Sequence, residues 1–473
     1  MAQEPRGLLD LAPMSASMAA PGQAPPAQPT TRASLQALLE QLDESQWWPA
    51  ERLRQAQFEQ LQALLRHALK QVPFYRNQWR RAGLKAAQID GPEQWCRVPI
   101  LQRAQVQKLD RVLHAKKLPA GHRQPARAQT SGSTGTPISV LTTETTRLLW
   151  AAISLRDHAW HARDFSGALA SIRIFGDKVD AAAPHGVRIP DWGPPVSLLH
   201  ASGPGWGLDI HTDPHRQLEW LLEVKPDYLL TFPTNAAALA RLCLEGHRKP
   251  DNLRELRLVS EAVDTELRTL LQQAFDVPVV DAYSAQEAGY LALQCPDHPH
   301  YHVQSENVYL EVVDESGQPC APGETGRVLI TTLHNFAMPL IRYEIGDYAT
   351  VGAACECGRG LPVLTRILGR VRNMVVLPNG EASWPNLAAT FYRQAAPVIQ
   401  HQVVQHDLEH LEARLVVERA LSRDEEAALR NMIVKRIGHP FSVSFSYPER
   451  IERSRSGKYE EFVSHVTQER APA

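Results

Sequence analysis

The sequence predicts an α/β protein in two parts. A large N-terminal domain has mainly parallel sheets flanked by helices, plus a β-rich subdomain, and a small α+β domain follows at the C-terminal end. Three observations predict this. Short β-branched runs alternate with helical stretches through the middle of the chain, which implies parallel strands covered on both faces. The pattern then switches to antiparallel-type strands around residues 308–333, and changes again after Gly369 to a compact strand-and-helix unit. Boundaries are expected at 1–34 for a disordered tail, 35–369 for the N-terminal domain and 370–473 for the C-terminal domain.

The tail is rich in Ala, Pro, Gln and Ser and nearly free of aromatics, so it lacks the apolar area that offsets ordering entropy. From Leu53 to Val72, Phe58, Leu61, Leu64, Leu65, Ala68 and Leu69 recur at helical spacing, with Pro73 expected to end the helix. PFYRNQW and VPILQRAQV then read as a turn into a further helix. SIRIFGD (171–177), DYLLTF (227–232), ELRLVS (255–260) and VPVVDAYS (277–284) are buried-strand candidates, separated by helices such as NAAALARLCLEG and TELRTLLQQAF. VYLEVVDESGQP and GRVLITTL read as antiparallel strands around a Ser-Gly turn. In the last unit, Ser422 and Glu425 form a capping box before a helix with Leu429, Met432, Ile433 and Ile437 on one face.

Composition excludes several functions. The 473 residues carry 50 Lys+Arg against 52 Asp+Glu, so net charge gives no reason to expect nucleic acid or an anionic membrane as partner. No apolar run is long enough to span a bilayer. Six cysteines over this length do not make a disulfide scaffold, and a reducing, cytoplasmic setting is expected.

The sharpest local signal is TSGSTGTP, residues 130–137, where glycines and hydroxyls offer a cradle for phosphate oxygens. It is not a Walker loop, and alone it would read as an ordinary flexible loop. Its company is more telling: DAYSAQEAG (281–289), LIRYEIGDY (340–348), ILGRVRN (367–373) and RSRSGK (453–458) follow in order. A second constellation concerns metal. Cys295 is followed by His298, His300 and His302, and Cys355 and Cys357 come later as C-x-C. Three thiols and an imidazole make a closed, structural Cys₃His zinc set, with buried reduced cysteines and surface histidines as the plainer alternative. His302 fits best because it opens a strand; His300 is the fallback.

The ordered motifs resemble the superfamily of adenylate-forming enzymes: acyl-CoA synthetases, peptide-synthetase adenylation domains and luciferases. Within it the phenylacetate–CoA ligase-like group is most similar, through LRHALKQVPFYRNQW, VPIL and CECGRGLPVLTRILGR (355–370). The resemblance implies that Thr130, Ser131, Gly132, Ser133, Thr134 and Gly135 wrap the ATP phosphates. It further implies that Ser260, Glu261 and Ala262 line the adenine, that Tyr283 stacks on it, and that Asp347 accepts from the ribose hydroxyls. Glu287 would hold Mg²⁺, Arg370 would contact ribose or phosphate near a hinge, and Lys458 would reach the acyl-adenylate from a mobile C-terminal domain. Relatives in this group also carry a zinc, which supports Cys295, His302, Cys355 and Cys357 as its ligands.

The implied reaction is ATP-dependent adenylation of a carboxylic acid, aryl or arylacetic in this group, then transfer to coenzyme A with release of AMP and pyrophosphate. Alternative acceptors are a carrier-protein pantetheine, an amine or another nucleophile; a nucleotide-binding scaffold without turnover is a further reading. Relatives are often homodimers. Two departures bear on turnover: the phosphate loop lacks the usual lysine, and Asn373 stands where the hinge aspartate is usual. For the acid pocket, Phe232 and the segment after Tyr283 are the expected contributors.

Overall fold

The computed structural model describes residues 29–119, 122, 125–129, 138–175, 179–182, 184–370, 373–385, 387, 389–454 and 457–466. Two compact units emerge, Met1–Val263 with Leu270–Ile367, and Asp264–Thr269 with Leu368–Ala473. Numbered along the chain, the large unit's strands begin with the pair β1 (Ala126–Gln129) and β2 (Ser139–Thr142). Next come β3 (Leu169–Arg173), β4 (Val187–Ile189), β5 (Gly205–Asp209), β6 (Tyr228–Thr231), β7 (Glu255–Leu258) and β8 (Val279–Ala285). The series continues with β9 (Gly289–Gln294), β10 (Tyr301–Val303), β11 (Val308–Val313), β12 (Thr325–Thr332), β13 (Tyr343–Val351) and β14 (Val363–Arg370).

Strands β3 to β14 form one 12-stranded sheet in the order β11-β12-β13-β14-β10-β9-β8-β7-β6-β3-β5-β4. The run β5, β3, β6, β7, β8 is parallel, as the strand–helix alternation predicts. At β8 the pairing turns antiparallel, and β11 pairs β12 antiparallel as expected. The α/β fold class is thereby borne out. Among the described residues no helix is long and apolar enough to cross a membrane.

The N-terminal helices differ from expectation in two places. The first helix spans Pro29–Ser45, so the last residues of the segment expected to be a tail are helical. Leu35, Leu38 and Leu42 are buried against Leu149, Ile153 and Leu293, which supplies the apolar area that composition alone conceals. The second difference is at Pro73. It follows the helix Ala50–Gln71 but also opens another, Pro73–Arg81, at the first helical position. There the missing N–H costs nothing, because the first turn has no intrahelical acceptor for it. Tyr75 and Trp79 from this helix join Leu61, Leu64, Val308, Ile330 and Ile341 in one core.

That core contains a guanidinium. Arg342 is 1% exposed, and its backbone φ is +47°. Its Nε donates to Glu311 Oε1 at 3.1 Å and its Nη2 lies 3.0 Å from the same oxygen. Nη1 donates to the carbonyls of Cys96 and Val98, each at 2.8 Å. Trp95 Nε1 donates to Glu311 Oε2 at 2.8 Å. The pair therefore bolts the 95–98 segment to β11 and to the start of β13.

The smaller unit contains β15 (Val375–Val376), β16 (Ala382–Ser383), β17 (Val398–Gln405), β18 (His410–Val417), β19 (Ser442–Ser446) and β20 (Phe462–Ser464). Its main sheet runs β19-β18-β17-β20. β18 and β19 are parallel, so the chain needs a crossover, supplied by the helix Arg423–Ile437. The capping box forms as read: Ser422 Oγ accepts from Glu425 N at 3.2 Å, and Glu425 Oε2 accepts from Ser422 N at 2.8 Å.

Because Arg342 keeps its charge when its partner is neutralised, Glu311→Gln is expected to cost roughly 3–5 kcal/mol. Replacing both members together by apolar residues is expected to cost less. Urea unfolding followed by tryptophan fluorescence checks both.

Candidate active site and metal centre

Ligands of open parallel sheets sit beyond the carboxyl ends of strands. Ser260, Glu261 and Ala262 lie there, directly after β7, with Ser260 at φ +75°. Glu261 Oε2 accepts from Thr234 N at 2.9 Å, in the first turn of the helix Pro233–Gly246, where a carboxylate suits the helix dipole.

Tyr283 sits on β8 at a register shift opposite β9. Its hydroxyl donates to Asp347 Oδ2 at 2.7 Å, and Asp347 lies on β13. Both side chains are buried. Glu287 follows in the turn between β8 and β9, 5% exposed, with Oε1 3.5 Å from Arg103 Nη1. Arg103 Nη1 also donates to Tyr343 OH at 3.2 Å. Tyr283 and Asp347 thus meet across β8 and β13, and Glu287 meets Arg103 in the turn after β8.

Gly289 closes the turn after Glu287 at φ +79°, and a Cβ there would lie 3.3 Å from Trp150 Cε3. Asn307 clamps this turn: its Nδ2 donates to Ala288 O at 2.8 Å and to Tyr290 O at 3.1 Å. A cavity opens beside it, lined by Trp150, Glu287, Gly289, Asn307 and His334, among others. Gln286 to Gly289 contribute from the segment after Tyr283, whereas Phe232 is buried elsewhere and is not part of this lining.

The expected phosphate-loop residues, Thr130, Ser131, Gly132, Ser133, Thr134 and Gly135, lie outside the described residues. The strands on either side, β1 and β2, pair antiparallel with Gln129 opposite Ser139. In the smaller unit, Arg370 ends β14 by backbone position, and its side chain lies outside the described set. Lys458 follows a tight turn. Gly457 has φ +79°, Gly457 N donates to Ser454 O, and Ser454 N donates back to Lys458 O, both at 2.8 Å. Asn373 Oδ1 is buried with no hydrogen-bond partner among the described residues.

The thiol–imidazole set is assembled. Cys295 lies just past β9, His302 is on β10, and Cys355 and Cys357 lie between β13 and β14. Their donor atoms all fall within 4.8 Å of one another. Cys295 Sγ and Cys355 Sγ are 3.9 Å apart, and Cys357 Sγ is 3.4 Å from His302 Nε2. A tetrahedral zinc site needs ligand atoms about 3.5–3.8 Å apart, given Zn–S and Zn–N bonds near 2.3 and 2.0 Å. His302 is fully buried, and burial pushes its imidazole down to about 4, so it presents the neutral ring that a metal requires. Its Nδ1 faces Leu361 O at 3.4 Å, leaving Nε2 toward the thiols. Burial pushes the Cys355 thiol up to about 12. For Cys357 burial also opposes ionisation, but hydrogen bonds from Arg359 and the neighbouring thiols hold it below the usual thiol range. The donor set fits zinc. His300, the fallback ligand, is not in the set.

Parts of the chain are similar to known proteins. Residues 128–338 match the family model described as AMP-binding enzyme. That match, with the relatives below, makes this chain similar to the adenylate-forming superfamily. Residues 380–465 also match the family model described as CapK C-terminal domain. A phenylacetate-coenzyme A ligase of Thermus thermophilus is 25% identical over 389 residues, covering 78% of this chain and 82% of that protein. One from Escherichia coli is 24% identical over 352 residues, covering 71% and 75%. A 2-hydroxyisobutyryl-CoA ligase structure in complex with 2-HIB-AMP aligns with TM-score 0.67 at 19% identity, over 88% of this chain and 90% of that one. That likeness is one of fold.

Sequence reasoning missed Arg103, Asn307 and His334. Each stands outside a motif of recognisable chemistry, and only tertiary packing brings them beside Glu287.

Burial also depresses His122, His161 and His334 to about 4. An unfolded histidine titrates near 6.5, so between about 6.5 and 4 the unfolded chain binds more protons. Stability is therefore expected to fall as pH is lowered through that window and to lose this dependence below it. Urea midpoints at pH 7.5, 6 and 5 measure the slope, which should be shallower in His334→Gln.

Proposed function

We propose that this chain is an AMP-forming acid–thiol ligase that adenylates a carboxylic acid and passes the acyl group to coenzyme A. The observation that supports the reading is the buried hydrogen bond between Tyr283 on β8 and Asp347 on β13, with Glu287 in the turn that follows β8. Relatives named as phenylacetate-coenzyme A ligases support the reaction class and favour an aryl or arylacetic acid.

In the first half-reaction, a carboxylate oxygen attacks the α-phosphorus of ATP and pyrophosphate leaves. The transition state spreads negative charge over phosphate oxygens, so positioning and nearby cations dominate. Bound Mg²⁺ supplies charge neutralisation on those oxygens. Glu287 holds that cation, and Arg103 orients its carboxylate. Tyr283 offers its ring face to adenine, with the hydroxyl pinned by Asp347, which also accepts from the ribose. Ser260, Glu261 and Ala262 border the base. Thr130, Ser131, Gly132, Ser133, Thr134 and Gly135 would wrap the phosphates, and Arg370 and Lys458 are the candidate cations carried by the smaller unit. In the second half-reaction the thiol of coenzyme A attacks the acyl carbonyl, its proton is lost, and AMP leaves with the C–O bond electrons.

Pyrophosphate release measured over a panel of acids, with and without coenzyme A, tests the reading; AMP and an acyl thioester are the expected products. Absence of both with every acid would refute it. A thioester formed only on carrier-protein pantetheine would reassign the acceptor. Lys458→Ala is expected to slow adenylation by roughly 100-fold or more, the scale seen when a preorganised charge is removed from a transition state.

Cys295, His302, Cys355 and Cys357 hold a structural zinc in this reading, and a reducing cytoplasm suits their thiols. Metal analysis of protein purified without chelators is expected to find about one zinc per chain. Cys357→Ser should lower the melting temperature more than it lowers pyrophosphate release, since the site's role is to join β9, β10 and the β13–β14 loop.

A further inference from the structure

The loop that carries two of the thiols also carries a guanidinium that is nearly enclosed. Arg359 lies just beyond Cys357, with 9% of its side chain exposed. Its guanidinium carbon sits 4.8 Å from the ring centroid of Trp47 and 4.5 Å from that of Trp160. Trp160 in turn meets His302 edge-on, with ring centroids 5.8 Å apart. One atom fixes this stack: Gln46 Oε1 accepts from Arg359 Nε at 3.0 Å and from Trp160 Nε1 at 2.8 Å. The main chain is held at the same place, where Gly360 N donates to Gln46 O at 2.9 Å. A Cβ at Gly360 would collide with Trp48 O, so the loop approaches this segment as only glycine allows. The Arg359 side chain is within hydrogen-bonding reach of the Cys357 sulfur, and its Nη1 lies 3.8 Å from Asp297 Oδ2.

Three thiolates and a neutral imidazole around Zn²⁺ leave one surplus negative charge on the filled site. Part of that site is deeply buried, with His302 at 0% and Cys295 at 2% exposure. A charge withdrawn from water is costly unless an opposite charge faces it. We propose that Arg359 is the positioning residue of this metal centre: its guanidinium, held by Trp47, Trp160 and Gln46, balances the surplus charge of the filled site and anchors the Cys357 thiolate. The inference rests on the zinc reading. A guanidinium suits the task because it stays charged in apolar surroundings and packs on aromatic rings while its N–H groups remain free to donate in their own plane. Groups that act on a metal through its ligands in this way commonly change metal affinity 10- to 100-fold, about as much as is expected here.

Zinc affinity is measured on the full chain by competition with a chromophoric chelator, and Co²⁺ bound in place of zinc reports on the thiolates through its sulfur-to-metal absorption. Arg359→Met should raise the Kd for zinc by about 10- to 100-fold. It should also move the Co²⁺ absorption to longer wavelength, since a thiolate that loses its donor releases electron density more readily. Arg359→Lys, which keeps the charge but not the planar fork, should recover part of the affinity. Should Arg359→Met fail to fold, the Co²⁺ absorption of Arg359→Lys decides: displaced, it upholds the inference, and unmoved, it overturns it. Unchanged zinc affinity in Arg359→Met overturns the inference and leaves the zinc site standing. Equal losses in the two variants mean that packing alone is at stake, and they overturn it as well. Failure of the unaltered protein to bind either zinc or Co²⁺ refutes the zinc reading and the inference with it.

Discussion

A guanidinium with 1% of its surface exposed sets the terms for the large unit. Arg342 has no neutral form to retreat to, so every one of its donors must find an acceptor inside the core. Glu311 and the carbonyls of Cys96, Val98 and Gly317 provide them. Those partners come from the N-terminal helical region and from the β-rich end of the sheet. Leu101 N donates to Arg342 O and Glu344 N to Leu101 O, so the main chain is laced at the same place. Burial pushes the Glu311 carboxyl up even with Arg342 beside it, which marks the pair as costly to hold. Its value is one of uniqueness: few other arrangements of these segments would satisfy a buried charge. The start of β13, and with it Asp347 four residues on, inherits its position from that requirement.

The candidate site follows the same logic of paired polar groups in a buried setting. Asp347 takes the Tyr283 hydroxyl, Glu287 meets Arg103, and Asn307 spans the backbone on both sides of Gly289. Tyr283 and Asp347 join β8 to β13, Arg103 reaches Glu287 from the helix Arg103–Leu109, and Asn307 ties down the β8–β9 turn, so that turn is held by packed elements on several sides. The thiol–imidazole set does for β9, β10 and the β13–β14 loop what Arg342 does for the N-terminal region.

Local signals were legible in the sequence. The capping box at Ser422 and Glu425 depends on residues three apart, and strand–helix alternation predicts β3, β6, β7 and β8 close to where they lie. The C-x-C motif and His302 were legible because few residue types ligate zinc, even though 60 positions separate Cys295 from Cys355. Pro73 misled because a proline that ends one helix can begin the next. The start of the first helix was hidden by the composition before it, since Leu35, Leu38 and Leu42 find their partners far along the chain. His334 and Asn307 were silent, because a lone histidine or asparagine signals nothing until its donors are seen to be occupied.

The match to the AMP-binding enzyme family begins at residue 128. Leu61, Leu64, Tyr75, Trp79 and Trp95, all upstream of that point, share a core with Val308, Ile330 and Ile341. Chain ends chosen by that match would therefore excise one wall of the hydrophobic interior and strip Arg342 of the Cys96 and Val98 carbonyls. Where that family match starts and where the shared hydrophobic core starts are separate positions in this protein. Modular transplantation of the nucleotide-handling region must carry the leading helices with it.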